Sequence, residues 1–405
     1  MSESALKHIE HLSVAIGPRG STTPKEKEGH DYVQKVLSDL GCETRAETFL
    51  APTSTYTPFI VGLGVALVAE ALFWGIGGTE NASAGALAAA ALALLATVSL
   101  FLELWPADNP LRWVIPSAPS QNVIGVTPAS GAAASGAAAS GQAARRIAVL
   151  AHVDSHRTPF FWQSRRTFAL YRALTPLGFI SLVALCVIFI VGIFAPGESL
   201  RSASLIPTVL VALVWLMVTQ AHFTPFTSGA NDNASGVGLM LALAEKLKQA
   251  PLKNSEVWWV ATGCEELSSP YGSADFVRRH QAELENGYVV VVDNLAGKET
   301  NPTYLTSEGI LVPLKYPPEM LALLEQIAKE QPDLGGRANP QPGAFTDAAF
   351  PLKAGLKTLG FLGFTRDGWI PNWHNQTDVF ANVDADAVAR AEQFVMEVLR
   401  RLDRQ

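Results

Sequence analysis

The sequence predicts an α/β fold in which a mostly parallel central sheet is flanked by helices, with two transmembrane helical hairpins inserted into it. Two observations predict this architecture. In the second half of the chain, apolar strands alternate with helices, a pattern typical of a parallel sheet covered on both faces. Earlier in the chain, four long apolar stretches form two pairs, and each pair is joined by a short loop.

The composition excludes several classes of protein. Only 17% of the 405 residues are charged and 48% are hydrophobic, whereas soluble domains average about 25% charged residues. Thirty Lys and Arg residues against 37 Asp and Glu residues give a net charge of −7, so a strongly basic nucleic-acid binder is excluded. Three cysteines in so long a chain do not make a disulfide-stapled domain.

The apolar excess is concentrated in residues 59–78, 82–102, 173–197 and 204–223. The first stretch contains one charged residue, Glu70, and the other three contain none. The shortest stretches have 20 residues, which as a helix reach the roughly 30 Å of a bilayer core. The alternative is a soluble protein with four buried helices, but uncharged runs of this length are unusual in globular cores.

We therefore predict transmembrane hairpins at residues 58–103 and 173–223. Because a hairpin returns the chain to the side it left, the α/β domain is assembled from residues 1–57, 104–172 and 224–405. Six Lys or Arg residues precede the first hairpin and seven lie between the hairpins, whereas the hairpin tips carry only Arg201. The positive-inside rule then predicts a multi-pass protein of the cell membrane, in contact with the lipid bilayer, whose α/β domain and both termini are cytoplasmic.

The other predicted elements are taken in chain order. Residues 8–40 have helical spacing, interrupted at residues 17–20 by Gly-Pro-Arg-Gly, and a strand-like run comes next at residues 43–50. Strands at 121–126 and 146–151 flank residues 129–144, an Ala/Ser/Gly run that we predict to be a flexible loop. The second half contains helix 237–249, strand 256–262, helix 273–284, strand 288–292, helix 318–330, strand 358–364 and helix 385–402.

Ionisable side chains follow four of the predicted strands, at or shortly beyond the point where each strand ends. In chain order they are His152, Asp154, Glu265, Glu266, Asp293 and His374. Ligands of open α/β sheets bind outside the carboxyl ends of the strands, so we expect these residues at one edge of the sheet. Asp232 joins them from a Gly/Asn/Ser-rich segment directly before a helix, where small residues allow close approach of the backbone.

Two imidazoles and several carboxylates suit a pair of divalent metal ions, with one carboxylate bridging ions roughly 3.5–4 Å apart. Zinc fits this set of donors best. Each residue alone has a simpler explanation: Asp232 as a helix cap, His152 as a core histidine, and Glu265 and Glu266 as solvated loop charges. Their coincidence at the same end of successive strands is what favours a metal site.

The segments that carry these residues resemble the M28 metallopeptidases, a family of di-zinc aminopeptidases and related enzymes. The matching motifs occur in the family's order and are AHVDS at 151–155, GANDNASG at 229–236, ATGCEE at 261–266, VVVD at 290–293 and HNQTD at 374–378. Weaker likeness extends to residues 16–19 and 122–125. The resemblance implies a zinc-exopeptidase-like α/β fold outside the two hairpins.

The resemblance also implies which residues bind the metal. One zinc ion would be bound by His152 and Asp293, and a second by Glu266 and His374. Asp232 would bridge the two ions. The implied cofactor is therefore two zinc ions per chain.

Three further residues take their implied roles from the same resemblance. Glu265 would be the general base that takes a proton from a zinc-activated water molecule. Asp154 would fix the imidazole of His152, although an Asp that caps a loop explains it equally well. Trp373 stands where the aminopeptidases often have a tyrosine that holds the oxyanion; an indole donates a single hydrogen bond. It is our candidate for contact with the oxyanion or the substrate.

The sequence thus predicts a membrane-anchored zinc-dependent peptidase, an aminopeptidase by resemblance, whose partners are a peptide substrate and the bilayer, without nucleic acid. Two alternatives stay open. One is a single-zinc acyltransferase similar to glutaminyl cyclases, against which the complete set of five ligands argues. The other is a catalytically inactive scaffold of the same fold. The sequence leaves the preferred peptide side chain and the oligomeric state undetermined.

Overall fold

The structure is a computed structural model that describes residues 3–105, 107, 110–131 and 145–405. The chain divides into two compact units. An α/β unit contains Met1–Ala51, Ala118–His156 and Phe226–Gln405, and a helical unit contains Pro52–Ser117 and Arg157–Pro225. The loop expected at 129–144 lies, from residue 132 onward, outside the described residues.

The elements are numbered in chain order over the described residues. The helices are α1 Glu3–Glu10, α2 Pro24–Asp39, α3 Thr57–Ile76, α4 Ala82–Leu104, α5 Arg165–Phe194, α6 Glu198–His222, α7 Ala234–Gln249, α8 Tyr271–Leu284, α9 Pro318–Glu330, α10 Ala349–Lys353 and α11 Ala385–Arg404. The strands are β1 Glu43–Pro52, β2 Ser117–Thr127, β3 Arg145–His152, β4 Ser255–Thr262, β5 Tyr288–Val292, β6 Asn301–Gly309, β7 Leu314–Lys315, β8 Arg337–Pro342 and β9 Thr358–Phe364.

The described strands form one mixed sheet in the order β1-β2-β4-β3-β5-β9-β6-β7, and β8 pairs with β6. The four central strands β4, β3, β5 and β9 are parallel, with Val149 opposite Trp259 on one side and Val290 on the other. Strand β2 is antiparallel to β4, and β6 is antiparallel to β9. The predicted α/β class with a central sheet flanked by helices is confirmed, and its parallel part is this central group of strands.

The central strands are apolar throughout because both of their faces are covered. Ile147, Val149 and Ala151 of β3 pack into one buried cluster, while Ala148 and Leu150 pack into another. The first cluster receives side chains from α1, α7, α9 and α11, and the second receives side chains from α8. Alternation of side chains along a strand therefore fills two cores at once.

Strands β6, β7 and β8 are absent from the sequence-based assignment. The reason is visible in their residues. Strand β8 reads Arg-Ala-Asn-Pro-Gln-Pro and contains two prolines, which are tolerated only at the edge of a sheet or at bulges. Strand β6 begins with Asn-Pro and contains several polar residues, so it lacks the continuous apolar run of β5.

The helical unit consists mainly of four helices that are long and apolar enough to cross a membrane, with mean hydropathy between 2.0 and 3.0. Helix α5 begins at Arg165, eight residues before the predicted start at residue 173. The charges of Arg165, Arg166 and Arg172 lower the hydropathy of this first part, so the apolar stretch alone does not include it. The helix nevertheless starts here, because Ser164 and Thr167 form a capping box. Helix α6 likewise begins earlier than predicted, at Glu198.

Small residues and paired polar groups hold the four helices together. The buried face of α4 is built from alanines, among them Ala86, Ala89 and Ala93, and small residues let helices in lipid approach closely. The buried carboxylate of Glu70 on α3 accepts a 2.6 Å hydrogen bond from Ser204 on α6. Large apolar side chains such as Val187 on α5 remain exposed, which is typical of a lipid-facing surface.

In the α/β unit, the guanidinium of Arg19 is fully buried, and among the described residues its partners are all backbone carbonyls. Its Nε donates to Val153 at 2.8 Å, and its two terminal nitrogens donate to Ser228 and Gly229 at 2.9 Å each. The same side chain also reaches Leu12 and Gly17. Burial lowers the pKa of Arg19 to about 10, so the group stays charged at neutral pH.

We expect Arg19→Lys to destabilise the protein by about 3 kcal/mol. An ammonium group offers three donors without the fork of a guanidinium, and each buried carbonyl left without a donor costs roughly 1–3 kcal/mol. Denaturation of the purified protein measures the change. The matched control is Arg278→Lys, which alters an exposed arginine that pairs with Asp275 and should change stability by less than about 1 kcal/mol. Equal stability of the two variants would contradict the structural role of Arg19.

Candidate metal centre

The carboxyl ends of three neighbouring central strands meet at one edge of the sheet. His152 is the last residue of β3, Asp293 directly follows β5, and Glu265 and Glu266 follow β4 after two residues. Asp232 lies just before α7, and His374 lies in the loop after β9. All six side chains are buried. The structure therefore brings together the residues that the sequence predicts as ligands and base.

His152, Asp232 and Asp293 form one group of possible metal ligands. The Nε2 atom of His152 lies 3.3 Å from Oδ1 of Asp232 and 3.4 Å from Oδ1 of Asp293. Oε2 of Glu265 lies farther from the same nitrogen, at 3.8 Å. The distances single out the two aspartates as the closer partners of His152.

The second carboxylate oxygen of Asp232 faces a different imidazole. Nε2 of His374 lies 3.3 Å from Oδ2 of Asp232 and 3.1 Å from Oε2 of Glu266. Asp232 thus presents one oxygen to each histidine, which is the arrangement required of a carboxylate that bridges two ions.

The backbone around Asp232 is fixed by buried side chains. The carboxylate of Asp378 accepts the backbone N–H groups of Asn231 at 2.7 Å and Asp232 at 3.1 Å. The side chain of Asn233 caps α7 by accepting from Gly236 and donates to the carbonyl of Val292 at the end of β5. The peptide bond between Asp232 and Asn233 is cis.

The carboxylate of Asp154 fixes the Glu265-Glu266 pair. It accepts the backbone N–H groups of both glutamates at 3.1 Å and the hydroxyl of Ser21 at 2.6 Å. Nδ1 of His152 lies 3.1 Å from the backbone carbonyl of Asp154 and 3.5 Å from its carboxylate. Asp154 therefore orients the imidazole mainly through its main chain, while its side chain positions the two glutamates.

Burial and mutual repulsion dominate the electrostatics of the site. Burial raises the pKa of Glu265, Glu266 and Asp293, and the neighbouring carboxylates raise each of them further. Burial acts in the same direction on Asp232, but the imidazoles of His152 and His374 beside its carboxylate outweigh it and hold its pKa well below the usual range. Such crowding of buried acidic groups is relieved by a bound cation.

The residues present fit zinc. Three buried atoms of the candidate ligands make no hydrogen bond within the described part of the chain: Nε2 of His152, Oδ2 of Asp232 and Oε1 of Glu266. Buried polar atoms normally have a partner, and imidazole nitrogens with carboxylate oxygens are donors that zinc accepts. A bound metal ion would supply the missing partner.

Sequence reasoning missed two buried residues at the site. His156 forms a second possible ligand group with Glu266 and His374, and its ring stacks on that of His374 with centroids 3.6 Å apart. The carboxylate of Asp347 accepts a hydrogen bond from the hydroxyl of Thr262 at the end of β4, and burial raises the pKa of Asp347 to about 7. The spacing His152-x-Asp154-x-His156 was an available signal for the first; Asp347 follows no predicted strand.

Trp373 is half-buried beside the centre. Its ring centroid lies 4.7 Å from that of His374, and the two planes are inclined by 44°. His374 itself has a positive φ of 52°, and Cys264, next to the two glutamates, has a φ of 54°. Backbone of this kind is strained in residues other than glycine and is concentrated at functional sites.

The fold is shared with solved zinc exopeptidases and related enzymes. A zinc aminopeptidase from Bacillus subtilis matches with a TM-score of 0.58 and 14% identity, covering 99% of this chain and 94% of that one. A Zn-dependent exopeptidase from Parabacteroides distasonis (TM-score 0.56, 14% identity, 99% and 98% coverage) and the glutaminyl cyclase of Porphyromonas gingivalis (0.58, 13%, 99% and 98%) match similarly. The fold thus defines a class, that of the zinc-exopeptidase-like α/β proteins.

Residues 215–399 match the model of peptidase family M28. The matched segment includes Asp232, Glu265, Glu266, Asp293 and His374. Aminopeptidase YwaD of Bacillus subtilis (strain 168) is 40% identical over 72 residues. That match spans 17% of this chain and only 15% of the length of that relative.

Proposed function

We propose that the protein is a membrane-embedded aminopeptidase that uses two zinc ions to hydrolyse peptide bonds. The observation that carries the proposal is the position of Asp232, which offers one carboxylate oxygen to His152 and the other to His374. His152 and Asp293 would hold one ion, Glu266 and His374 the other, and Asp232 both. Bound zinc lowers the pKa of water toward 7 and polarises a carbonyl.

Glu265 is proposed as the general base. It is buried, its backbone is held by Asp154, and it lies farther from His152 than the two aspartates do. A carboxylate so placed takes the proton of the attacking water as the new C–O bond forms and the carbonyl electrons move to oxygen. It then passes that proton to the leaving amine as the C–N bond breaks.

The second candidate function is that of a glutaminyl cyclase-like acyltransferase with one zinc ion. Solved glutaminyl cyclases match the fold as well as the aminopeptidase does. The two-zinc peptidase is favoured because the chain has a complete additional ligand group, formed by His152, Asp232 and Asp293. An inactive scaffold is the third possibility, and the intact ligand set argues against it.

We expect zinc-loaded protein in detergent to hydrolyse aminoacyl reporter amides and to contain two zinc ions per chain. A chelator should abolish the activity and zinc should restore it. The activity should also fall in acid, because burial raises the pKa of Glu266 and Asp293, so protons compete with zinc increasingly as the pH drops. Reporter-amide rates and metal analysis across pH 5–8 are the measurements.

The same panel separates the alternatives. One zinc per chain with cyclisation of amino-terminal glutamine peptides would establish the acyltransferase. Absence of metal and of both activities would establish the scaffold. Hydrolysis that survives complete removal of metal would rule out the proposed mechanism.

Substitution within the Glu265-Glu266 pair separates base from ligand. We expect Glu265→Gln to keep two zinc ions and to lower kcat by about 10²–10⁴-fold, the usual contribution of a general base. Glu266→Gln should lose or weaken one zinc ion. The two changes are matched in chemistry and adjacent in sequence, so each is the control for the other. If Glu265→Gln instead loses zinc and Glu266→Gln keeps both ions, Glu265 is the ligand and Glu266 is the base.

We further propose that α3, α4, α5 and α6 span the cell membrane and that the α/β unit is cytoplasmic. Support comes from the length and hydropathy of the helices and from the distribution of basic residues, with Arg201 alone at the tips.

Cysteine labelling tests this orientation in a Cys42→Ser background, because the other native cysteines, Cys186 and Cys264, are buried. The exposed positions Ser83 and Ser199 lie at the two hairpin tips, and Ser38 is exposed on α2. Ser83→Cys and Ser199→Cys should react with an impermeant maleimide in intact cells, whereas Ser38→Cys should react only after permeabilisation. The reverse pattern indicates an inverted protein, and extraction by carbonate without detergent indicates that it does not span the membrane.

A further inference from the structure

The loop after β3 places a histidine at the centre that the set of five predicted ligands does not use. His156 is buried, and a ring nitrogen of it lies within 4.8 Å of ligand atoms of Glu266 and His374. We infer that His156 is a catalytic residue that donates a hydrogen bond to the oxyanion formed when water adds to the substrate carbonyl. This inference rests on the proposed peptidase function and adds a residue to its machinery.

The position of His156 is fixed by its own backbone. Its carbonyl accepts the N–H of Thr227 at 2.9 Å. The preceding residue, Ser155, donates its hydroxyl to the carbonyl of Thr227 at 2.9 Å and accepts the N–H of Arg19 at 3.0 Å. A donor contributes most to catalysis when it is already in place before charge develops, and these bonds hold the loop that carries the imidazole.

The stacking geometry favours a donor over a further ligand of the same ion. The rings of His156 and His374 are nearly parallel, with an angle of 14° and centroids 3.6 Å apart. Because the two ring planes are nearly parallel, nitrogens of both rings would not bind one zinc ion at a Zn–N distance of about 2.0–2.1 Å. Nε2 of His374 lies 3.3 Å from Asp232 and 3.1 Å from Glu266, so His374 is the proposed ligand and His156 is left as the proposed donor.

The neighbouring acidic groups explain why such a donor is needed. Asp232, Glu265 and Glu266 present carboxylates, which repel a developing oxyanion unless they bind metal. Trp373 precedes His374 and offers one indole N–H on a ring inclined by 44° to the imidazole. An imidazole N–H beside Glu266 and His374 stabilises the negative oxygen of the tetrahedral intermediate. This hydrogen bond weakens when the C–N bond breaks and the carbonyl reforms, because the oxygen then loses its negative charge.

The test compares three variants by metal content, steady-state rates and calorimetric binding of aminoalkylphosphonates, tetrahedral analogues of the reporter amides. His156→Phe keeps an aromatic ring against His374 and removes the donor. It should retain two zinc ions, leave KM within about threefold and lower kcat by roughly 10²–10³-fold, the usual effect of losing one oxyanion donor. Its affinity for the phosphonate should fall by a similar factor, while its affinity for the free amino acid product stays unchanged.

Two further variants make the result specific. His156→Gln retains an N–H donor and should recover part of kcat and of the phosphonate affinity. His11→Phe applies the same change to a histidine that stacks on Tyr32 outside the site, with centroids 4.0 Å apart, and should behave as the unaltered protein. This control shows whether exchanging a stacked histidine for phenylalanine alters the protein in general.

Each contrary outcome overturns the inference in a recognisable way. Loss of one zinc ion in His156→Phe makes His156 a ligand. If His156→Phe leaves kcat and phosphonate affinity unchanged, His156 does not stabilise the transition state. If the unaltered, zinc-loaded protein hydrolyses no amide, the proposed function is refuted, and phosphonate binding measured by calorimetry still compares the variants. If the unaltered protein also binds no phosphonate, the inference about His156 is refuted as well.

Discussion

The site depends on one buried cation, the guanidinium of Arg19. The chain leaves the α/β unit after His156 and returns to it at Phe226, so strand β3, which ends at His152, and the loop that carries Asp232 belong to separate segments of sequence. Arg19 donates to Val153 in the first segment and to Ser228 and Gly229 in the second. Because a guanidinium offers five donors in a rigid plane, a single side chain joins both segments to the amino-terminal part of the chain.

Because Arg19 connects these segments rigidly, residues of the site can adopt strained backbone conformations that isolated segments would avoid. The positive φ values of Cys264 and His374 cost of order 1 kcal/mol or more each and persist only where the surroundings impose them. At Cys264 the surroundings include Glu26, which accepts the backbone N–H of Cys264, and Asp154, which accepts those of the next two residues. The hydrogen bonds that fix the glutamates therefore also compensate for the strain beside them.

Sequence reasoning found the features that the apolar strands dictate and missed those that depend on tertiary contacts. The carboxyl ends of parallel strands meet at one edge, so the positions of His152 and Asp293 could be expected from the residues that end β3 and β5. The residues of β8 could not be assigned, because its prolines are allowed only by its place away from the centre of the sheet. The role of Arg19 and the stacking of His156 on His374 depend on segments far apart in sequence, and no local pattern encodes them.

Charge balance at the centre favours two ions over one. Asp232, Glu265, Glu266 and Asp293 are buried together, and within the described residues the fixed cation near them, Arg19, donates its hydrogen bonds to carbonyls instead. Four ionised carboxylates around two neutral imidazoles carry a charge of about −4, and an uncompensated buried charge is costly enough that the group takes up a proton instead. One divalent ion would compensate half of this charge and leave acidic groups protonated at the position where the proposed base is needed. Two ions would compensate all of it, so the proposed ligands could bind as anions while Glu265 could accept a proton.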